Sequence, residues 1–367
     1  MARPIEYPQS AWGRILLSGA SGHLGANLLR ALLERGHRVR VLCHPDHDRS
    51  AIEGLDVERV EGDLRAPQTL RGIADDCDSC FHVAAKVSTI DGSAADRREI
   101  FETNVLGTRH ILALARKAGV KRTVVTGSFS AVGYDIDEPS RPADEKMQFY
   151  PFERTMPYER SKVLVEHEVL AAVARGQDAV IATSCAIIGG HDYLPSRMGR
   201  TLCDYANGKL RAYIAPGGFE FVTATDIVAG HLLAMERGAR GEKYIIASQY
   251  CTLDDIMDHF EAVTGIERPA LRMPAWLMAA FANTASPLLT RFAPNFNQRL
   301  TPGAIRLLRL CRHADTAKAR NELGFVPTSI RQAIQEAYAF HYARGAIVNP
   351  AAKAPQINRP IGKSAAA

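Results

Sequence analysis

Excess charge of one sign is missing from this chain of 367 residues. It carries 45 Lys and Arg against 40 Asp and Glu, a formal net charge of +5 with no local basic stripe. That balance gives no footing for a nucleic-acid surface. A long apolar run is also absent. The best candidate, Met273 to Phe292, is broken by Asn283, Thr284, Ser286 and Pro287, short of the about 20 apolar residues a spanning helix needs. Met1 to Trp12 has no apolar core between a basic start and a small-residue cleavage site, so no secretory signal is expected there. Cysteine is sparse, odd in number and scattered: Cys43, Cys77, Cys80, Cys185, Cys203, Cys251 and Cys311. The pair Cys77/Cys80 has no partner pair or histidine at metal spacing, so a structural role is expected and no metal. Reduced thiols and the missing signals together predict a soluble, cytoplasmic protein.

What is present is ordinary globular material, 46% hydrophobic and 23% charged. At roughly 150 residues per domain the length suggests about two domains, enough to bury a core without staples. Short β-rich runs occur at Arg14–Leu17, Arg38–Cys43, Val57–Glu61, Ser79–Val83, Arg122–Thr126 and Ala179–Ala182. Helical patterns separate them. Leu24, Leu28, Leu29, Leu32 and Leu33 form one apolar stripe closed by Gly36; Thr103 to Ala118 forms another, stopped by Gly119. Such alternation predicts a doubly wound parallel α/β sheet covered on both faces. After Ala182 the rhythm breaks, and a smaller mixed α/β region is expected, with a strand at Lys243–Ile246 and helices over Thr252–Thr264, from Trp276 onward, and over Thr328–Ala343. The predicted division is a leader at 1–12, a dinucleotide-binding unit at 13–182, a substrate region at 183–344 with strands returning to the core, and an unstructured tail at 345–367.

The sharpest motif is Gly19-Ala20-Ser21-Gly22-His23-Leu24-Gly25, placed after a predicted strand and opening a predicted helix. Gly19 suits a tight turn, Gly22 the close approach of a diphosphate and Gly25 the packing of helix on strand. The diphosphate would meet free N–H groups at the helix start. The second strand ends in Cys43-His44 with Arg49 nearby and no carboxylate at the strand end. NADP(H) is therefore favoured over NAD(H), subject to Asp46 or Asp48 folding inward. Asp63 after the third strand is either an adenine acceptor or a surface-turn aspartate.

Tyr158 and Lys162 stand at i and i+4 on a predicted helix, about 6 Å apart. A free phenol has a pKa of about 10. An adjacent ammonium is expected to lower it and make an acid/base group. The fifth strand ends Thr126-Gly127-Ser128-Phe129-Ser130. Ser128 is the chosen carbonyl-orienting hydroxyl, with Thr126 and Ser130 as competitors. Asn104, expected to open the helix before that strand, is either a proton-relay residue or a helix cap.

These motifs in order, with Phe81-His82-Val83-Ala84-Ala85, Asn104-Val105-Leu106-Gly107-Thr108 and Thr223-Ala224-Thr225-Asp226, resemble the extended short-chain dehydrogenase/reductases over about Arg14 to Ala343. The likeness is to the branch of dihydroflavonol 4-reductases, 3β-hydroxysteroid dehydrogenases and hopanoid-associated sugar epimerases. It implies a Rossmann-like fold with Gly19 to Gly25 around the diphosphate. It places Asp63 and Leu64 at the adenine and Ala84, Ala85 and Lys86 near the ribose. Tyr158, Lys162 and Cys185 would stand at the nicotinamide. It also suggests a homodimer through two core helices, one bearing Tyr158. Two departures stand out: Gly127 replaces a common serine, and Thr183-Ser184-Cys185 replaces a common Asn-Pro-Ser. The Thr-Asp-Glu triplet of nucleotide-sugar dehydratases is absent after Val125.

The expected reaction is hydride transfer between nicotinamide and a carbonyl or hydroxyl of a mainly apolar small molecule. Tyr158 is the acid/base group, and Met273, Trp276, Leu277, Met278 and Phe281 line the substrate side or form a core helix. The alternatives are a nucleotide-sugar epimerase or dehydratase with tightly held NAD, and a non-catalytic dinucleotide sensor.

Overall fold

A computed structural model describes residues 12–88, 92–149, 155–280, 282 and 301–355. The strands are β1 (Arg14–Ser18), β2 (Arg38–Cys43), β3 (Glu58–Glu61), β4 (Ser79–His82), β5 (Arg122–Ser128) and β6 (Ala179–Ser184). They continue as β7 (Ala186–Ile188), β8 (Ala212–Ala215), β9 (Gly218–Thr223), β10 (Lys243–Ile246), β11 (Gln249–Thr252) and β12 (Leu271–Pro274). Seven of them form one sheet in the order β10-β6-β5-β4-β1-β2-β3, every pairing parallel. A three-stranded sheet, β11-β9-β7, and the pair β12-β8 make up the smaller region.

The helices are α1 (His23–Glu34), α2 (Ala94–Phe101), α3 (Gly107–Lys117), α4 (Pro157–Ala174), α5 (Arg197–Ala206), α6 (Ala224–Arg237), α7 (Leu253–Thr264), α8 (Pro302–Arg309) and α9 (Ile330–Ala343). Strand side chains alternate between faces, and both faces are apolar here. Leu17, Val41, Phe81, Val124 and Val180 meet Leu24, Leu28 and Leu32 of α1 and Ile227 and Leu232 of α6. On the other face Val125 and Ile181 meet Leu112 of α3 and Val165 and Val169 of α4. Leu16, Leu42 and Cys80 pack with Ile111 and Cys77. A sheet buried on both faces is the doubly wound architecture. Cys77 and Cys80 are core side chains, and burial pushes both thiols up.

Several boundaries differ from expectation. The helix predicted from Thr103 begins at Ala94, where Ser93 and Asp96 form a reciprocal capping box. It passes through a π-turn at Glu102–Leu106 into α3, so Asn104 lies mid-helix and neither opens nor caps one. Strands β5 and β6 run two residues further than predicted, to Ser128 and Ser184, so the expected boundary at 182 falls inside a strand. As expected of strands returning to the core from the substrate region, β10 completes the large sheet, and α6 covers it. At the expected leader's end, Trp12 is buried and stacked on His37 at 5.0 Å. The expected unstructured tail packs at its start. Ile347 and Ala352 are buried, the Tyr338 hydroxyl donates to Lys353 O at 2.6 Å and Lys353 N–H donates to Thr264 O at 2.8 Å. Residues 356–367 lie outside the described residues. No helix among the described residues is long and apolar enough to cross a membrane.

The two regions are tied at Asp226, which is 1% exposed in the first turn of α6. Its carboxylate accepts from Ser248 Oγ at 2.5 Å, Thr328 N at 2.8 Å and Thr328 Oγ1 at 2.9 Å. Removing an acceptor that three partly buried donors share leaves a buried space beside unpaired groups. Asp226→Ala is expected to cost roughly 3 kcal/mol or more, read as a lowered urea midpoint; a variant as stable as the parent would show that water replaces the carboxylate.

Candidate active site

In a parallel sheet the carboxyl ends of all strands open on one edge. Here four neighbouring strands bring the predicted residues to that edge in a row: Gly19 after β1, Ala84 after β4, Ser128 closing β5 and Cys185 after β6. Between β1 and β4 the strand order reverses, the place where a doubly wound sheet leaves a crevice.

Gly19 has φ +82°, and a Cβ there would fall 2.5 Å from Ala84 N; a Cβ on Gly25 would fall 2.0 Å from Gly19 O. Both positions exclude any side chain. Gly22 differs, since a Cβ would meet only Gly19 O, at 3.5 Å, and the space above it is open. Gly22 caps α1 without a side-chain bond to the first-turn amides, so these N–H groups remain directed at the crevice. Ala20 and Leu24 are buried and Ser21 is partly buried, so the turn offers mainly backbone to a diphosphate. The His23 imidazole turns away from that role. Its Nε2 bonds Gly190 O at 3.0 Å, beside Asp192.

At the end of β2, His44 stacks on His47 at 4.1 Å and its Nε2 lies 3.5 Å from Asp63 Oδ2. Asp63 is clasped by Arg65 through Nη2 at 2.8 Å and Nε at 3.1 Å. Burial pushes this carboxyl up, but the Arg65 hydrogen bonds and charge outweigh it and hold it below the usual range. Arg49, expected beside a 2′-phosphate, is instead paired with Glu61 of β3 at 2.5 Å. Leu64 is buried against Gly107, Ala84 and Ala85 are partly buried over the glycine turn, and the Lys86 ammonium pairs with Glu99.

Asn104 takes neither role foreseen for it. Its Oδ1 accepts from Lys86 N at 2.7 Å, while Nδ2 donates to Lys86 O at 3.0 Å and to Ser161 Oγ at 2.9 Å. Every amide hydrogen is committed, which leaves none for a relay water. It is a positioning residue joining the loop after β4 to the tyrosine helix.

Thr126 turns its side chain to α6, and α4, on the other face of the sheet, brings Lys162 to the Thr126 carbonyl and Tyr158 to Ser128 at the strand end. Lys162 Nζ donates to Thr126 O at 2.9 Å. Ser128 hydrogen-bonds the Tyr158 phenol and accepts from Ser130 N at 3.2 Å. Burial is the larger influence on Tyr158 and raises its pKa; the Ser128 bond pulls it down and the Glu159 charge raises it. The expected acidification of Tyr158 by Lys162 is therefore corrected, because the ammonium is spent on the strand carbonyl two residues away from Ser128. Lys162 itself is the shifted group, brought down to about 8 by burial against an opposing pull from Glu166.

Two buried imidazoles, unassigned from sequence, set this floor. His231 bonds Ile227 O through Nδ1 and Thr126 Oγ1 through Nε2, each at 2.8 Å. His82 links Ser18 Oγ at 2.7 Å to Thr108 Oγ1 at 3.0 Å. Burial lowers their pKa values to about 4 and about 3, so both are neutral struts at neutral pH. On the substrate side Met273 and Met278 pack with Ile214, Ile305 and Leu308, whereas Trp276 and Leu277 are exposed, at 66% and 41%. The helix over 275–280 turns only one stripe inward. Phe281 lies outside the described residues. Beside Cys185 lie Glu220 and Arg312, neither flagged by any local pattern. Burial pushes the Glu220 carboxyl up to about 7 against the bond it accepts from Ala314 N at 3.0 Å.

Residues 15–247 match the NAD-dependent epimerase/dehydratase family, and the chain belongs to it. Within that family it is an NAD(P)-dependent oxidoreductase of the extended short-chain dehydrogenase/reductase type. It is 44% identical to the sterol demethylase protein B of Methylococcus capsulatus, over 90% of this chain and 99% of that one. It is 30% identical to the 4-hydroxy-2-methyl-3-oxo-4-farnesyl-3,4-dihydroquinoline-1-oxide ketoreductase of Stigmatella aurantiaca, over 85% and 91%. The crystal structure of gox2253 superimposes with a TM-score of 0.78 at 31% identity, covering 91% of this chain and 99% of that one.

The Lys162 shift sets opposite trends with pH. Between about 8 and 10.5 the unfolded chain holds a proton on this lysine that the folded chain has lost, so stability gains from rising pH in that window. If carbonyl reduction uses a charged Lys162 and a protonated Tyr158, its rate follows the same titration. It is expected to fall as pH rises through about 8, measured as kcat/KM beside urea unfolding. A rate flat to pH 10 would remove Lys162 from the active form.

Proposed function

We propose that the protein is an NADP(H)-linked carbonyl reductase and hydroxyl dehydrogenase acting on an apolar small molecule. The observation that carries this reading is the Ser128–Tyr158 hydrogen bond at the end of β5, in line with the open glycine turn after β1. The two curated relatives support an apolar substrate, one named for a sterol and the other for a farnesylated ketone.

The turn suits a dinucleotide. Free amides of α1 and the open space over Gly22 would hold the diphosphate, and Ala84, Ala85 and Leu64 the nucleoside. A bound nicotinamide supplies the hydride for the substrate carbon or takes it back. Ser128 and Tyr158 grip the substrate oxygen. With its pKa raised, Tyr158 holds its proton at neutral pH and delivers it to the developing alkoxide, which both hydroxyls stabilise. In the oxidative direction the phenol must first give up its proton to solvent, and the phenolate oxygen then receives the hydroxyl proton. Lys162 places positive charge under the pair while Thr126 fixes its position. The face bearing α2, α3 and α4, with Phe101 and Leu170 exposed, is the one proposed to pair two copies.

NADP(H) is favoured because β2 ends at His44 without a carboxylate and the nearest one, Asp63, is neutralised by Arg65. NADPH is expected to exceed NADH in kcat/KM by about tenfold, and His44→Asp to erase that margin by repelling a 2′-phosphate; equal use of both by the parent would refute the preference. For the chemistry, Tyr158→Phe is expected to lose about 10³-fold in kcat on a panel of apolar cyclic ketones while still binding NADPH. Undiminished turnover would deny the phenol its role. Silence on every ketone with conversion of UDP-sugars would replace the reading by sugar epimerisation.

A further inference from the structure

Lys162 is a buried ammonium, 4% exposed, and its hydrogen bond to the Thr126 carbonyl brings no opposite charge. A cation taken out of water needs an anion as well as an acceptor. The groups that face it do not supply one. From β4 and α6 come His82 and His231, both neutral. From β5 come the Thr126 carbonyl and the Ser128 hydroxyl. On α4 itself Tyr158, one turn before the lysine, holds its proton, and Ser161 is bonded to Asn104 of the π-turn. The acid whose charge reaches Lys162 is Glu166, one turn further along the same helix.

The i, i+4 spacing puts the two side chains on one face of α4, about 6 Å apart. The Glu166 side chain is 14% exposed. Its Oε2 accepts from the Nζ of Lys243, the first residue of β10, at 2.9 Å. Its Oε1 is buried and has no hydrogen-bond partner. The acids beside Lys243 are engaged elsewhere, Glu242 by Lys318 and Glu145 by Ile245 N at 2.8 Å. His167, next to Glu166 on the helix, is exposed. Burial pushes the Glu166 carboxyl up, while Lys243 pulls it down, ahead of His167 and Lys162. A buried carboxylate oxygen without a donor is a cost that attraction to a second cation offsets. Lys162, Glu166 and Lys243 thus alternate in sign from the carboxyl edge of the sheet to the amino end of β10.

We propose that Glu166 is a positioning residue for the reaction: clamped by Lys243, it keeps the positive charge of Lys162 in place beneath the Ser128–Tyr158 pair. The carboxylate touches neither substrate nor cofactor and acts through the lysine alone. Without it, burial acts on Lys162 unopposed, and the lysine gives up its proton at a lower pH. Lys243 belongs to the arrangement because it keeps the buried carboxyl ionised. The strand that carries Lys243 comes from the substrate region and pairs with β6, so the charge on Lys162 depends on β10 being docked. The kinetic consequence rests on the carbonyl reductase reading above; the titration of Lys162 does not.

The test uses the full chain and Glu166→Gln, which keeps the shape and an oxygen for Lys243 while removing the charge. Urea unfolding of both proteins is followed from about pH 6 to about pH 10. The variant is expected to be the less stable, and the gap to narrow about tenfold in the unfolding equilibrium constant as pH rises to about 8, then to stay constant. In parallel, kcat/KM for NADPH-dependent reduction of an apolar cyclic ketone is expected to lose about fivefold more at pH 8 than at pH 6. If Glu166→Gln does not fold, the pair Glu166→Gln/Lys243→Gln, which leaves neither charge unpaired, is read in the same way. A stability gap and a rate ratio that do not change with pH would reduce Glu166 to a tie between α4 and β10. A narrowing gap with no turnover of any ketone by the unaltered protein would overturn the reductase reading and leave Glu166 holding the lysine charge.

Discussion

Everything at the site is referred to the end of β5. That strand end presents the Thr126 carbonyl and the Ser128 hydroxyl, and a single helix brings Lys162 and Tyr158 to them. The helix can do this because its own backbone is pinned from the other side. Ser161 Oγ donates to Tyr158 O at 2.7 Å and accepts from Asn104, which in turn holds both polar groups of Lys86. Loop, π-turn, helix and strand are thus one hydrogen-bonded unit. A shift of any member moves the phenol relative to the glycine turn, and a displacement of even an ångström is costly when reacting atoms must be aligned.

The charge arrangement follows from that geometry. A lysine placed to acidify the phenol would need its ammonium near the phenol oxygen. Here the strand carbonyl of Thr126 claims it, burial makes the lysine itself the perturbed group, and the phenol stays protonated. That state suits proton delivery to a carbonyl. The neutral imidazoles of His231 and His82 complete the floor without adding charge. The Lys162 ammonium thus sits beneath the pair at a position set by backbone.

How much of this was legible in the sequence depends on how far apart the partners lie. Gly19, Gly22 and Gly25 sit within one turn, and Tyr158 and Lys162 within one helical repeat, so local spacing carried them. Asn104 was misread because its partners, Lys86 and Ser161, are 18 and 57 residues away, and an asparagine near a helix start resembles a cap. Its helix also begins nine residues earlier than the apolar stripe suggests, because α2 has an exposed, polar surface whose start signal is Ser93 with Asp96. The pairing of Arg49 with Glu61 depends on β3 lying beside β2, which local spacing does not show. Apolar periodicity flagged Trp276 and Leu277 along with Met278, but could not tell which stripe would face inward.

Arg312 is the extreme of that scale, with partners 179 to 183 residues away. Two arginines of one chain segment approach the catalytic helix and strand, and they are treated differently. Arg306 receives a carboxylate, Glu159, which also caps the start of α4, so its charge is cancelled within the fold. Arg312, six positions on, receives only carbonyls and rings, while the nearby buried acid Glu220 binds Ala314 N and is pushed towards neutrality. The fold therefore has a carboxyl at hand on this side and does not use it to cancel Arg312.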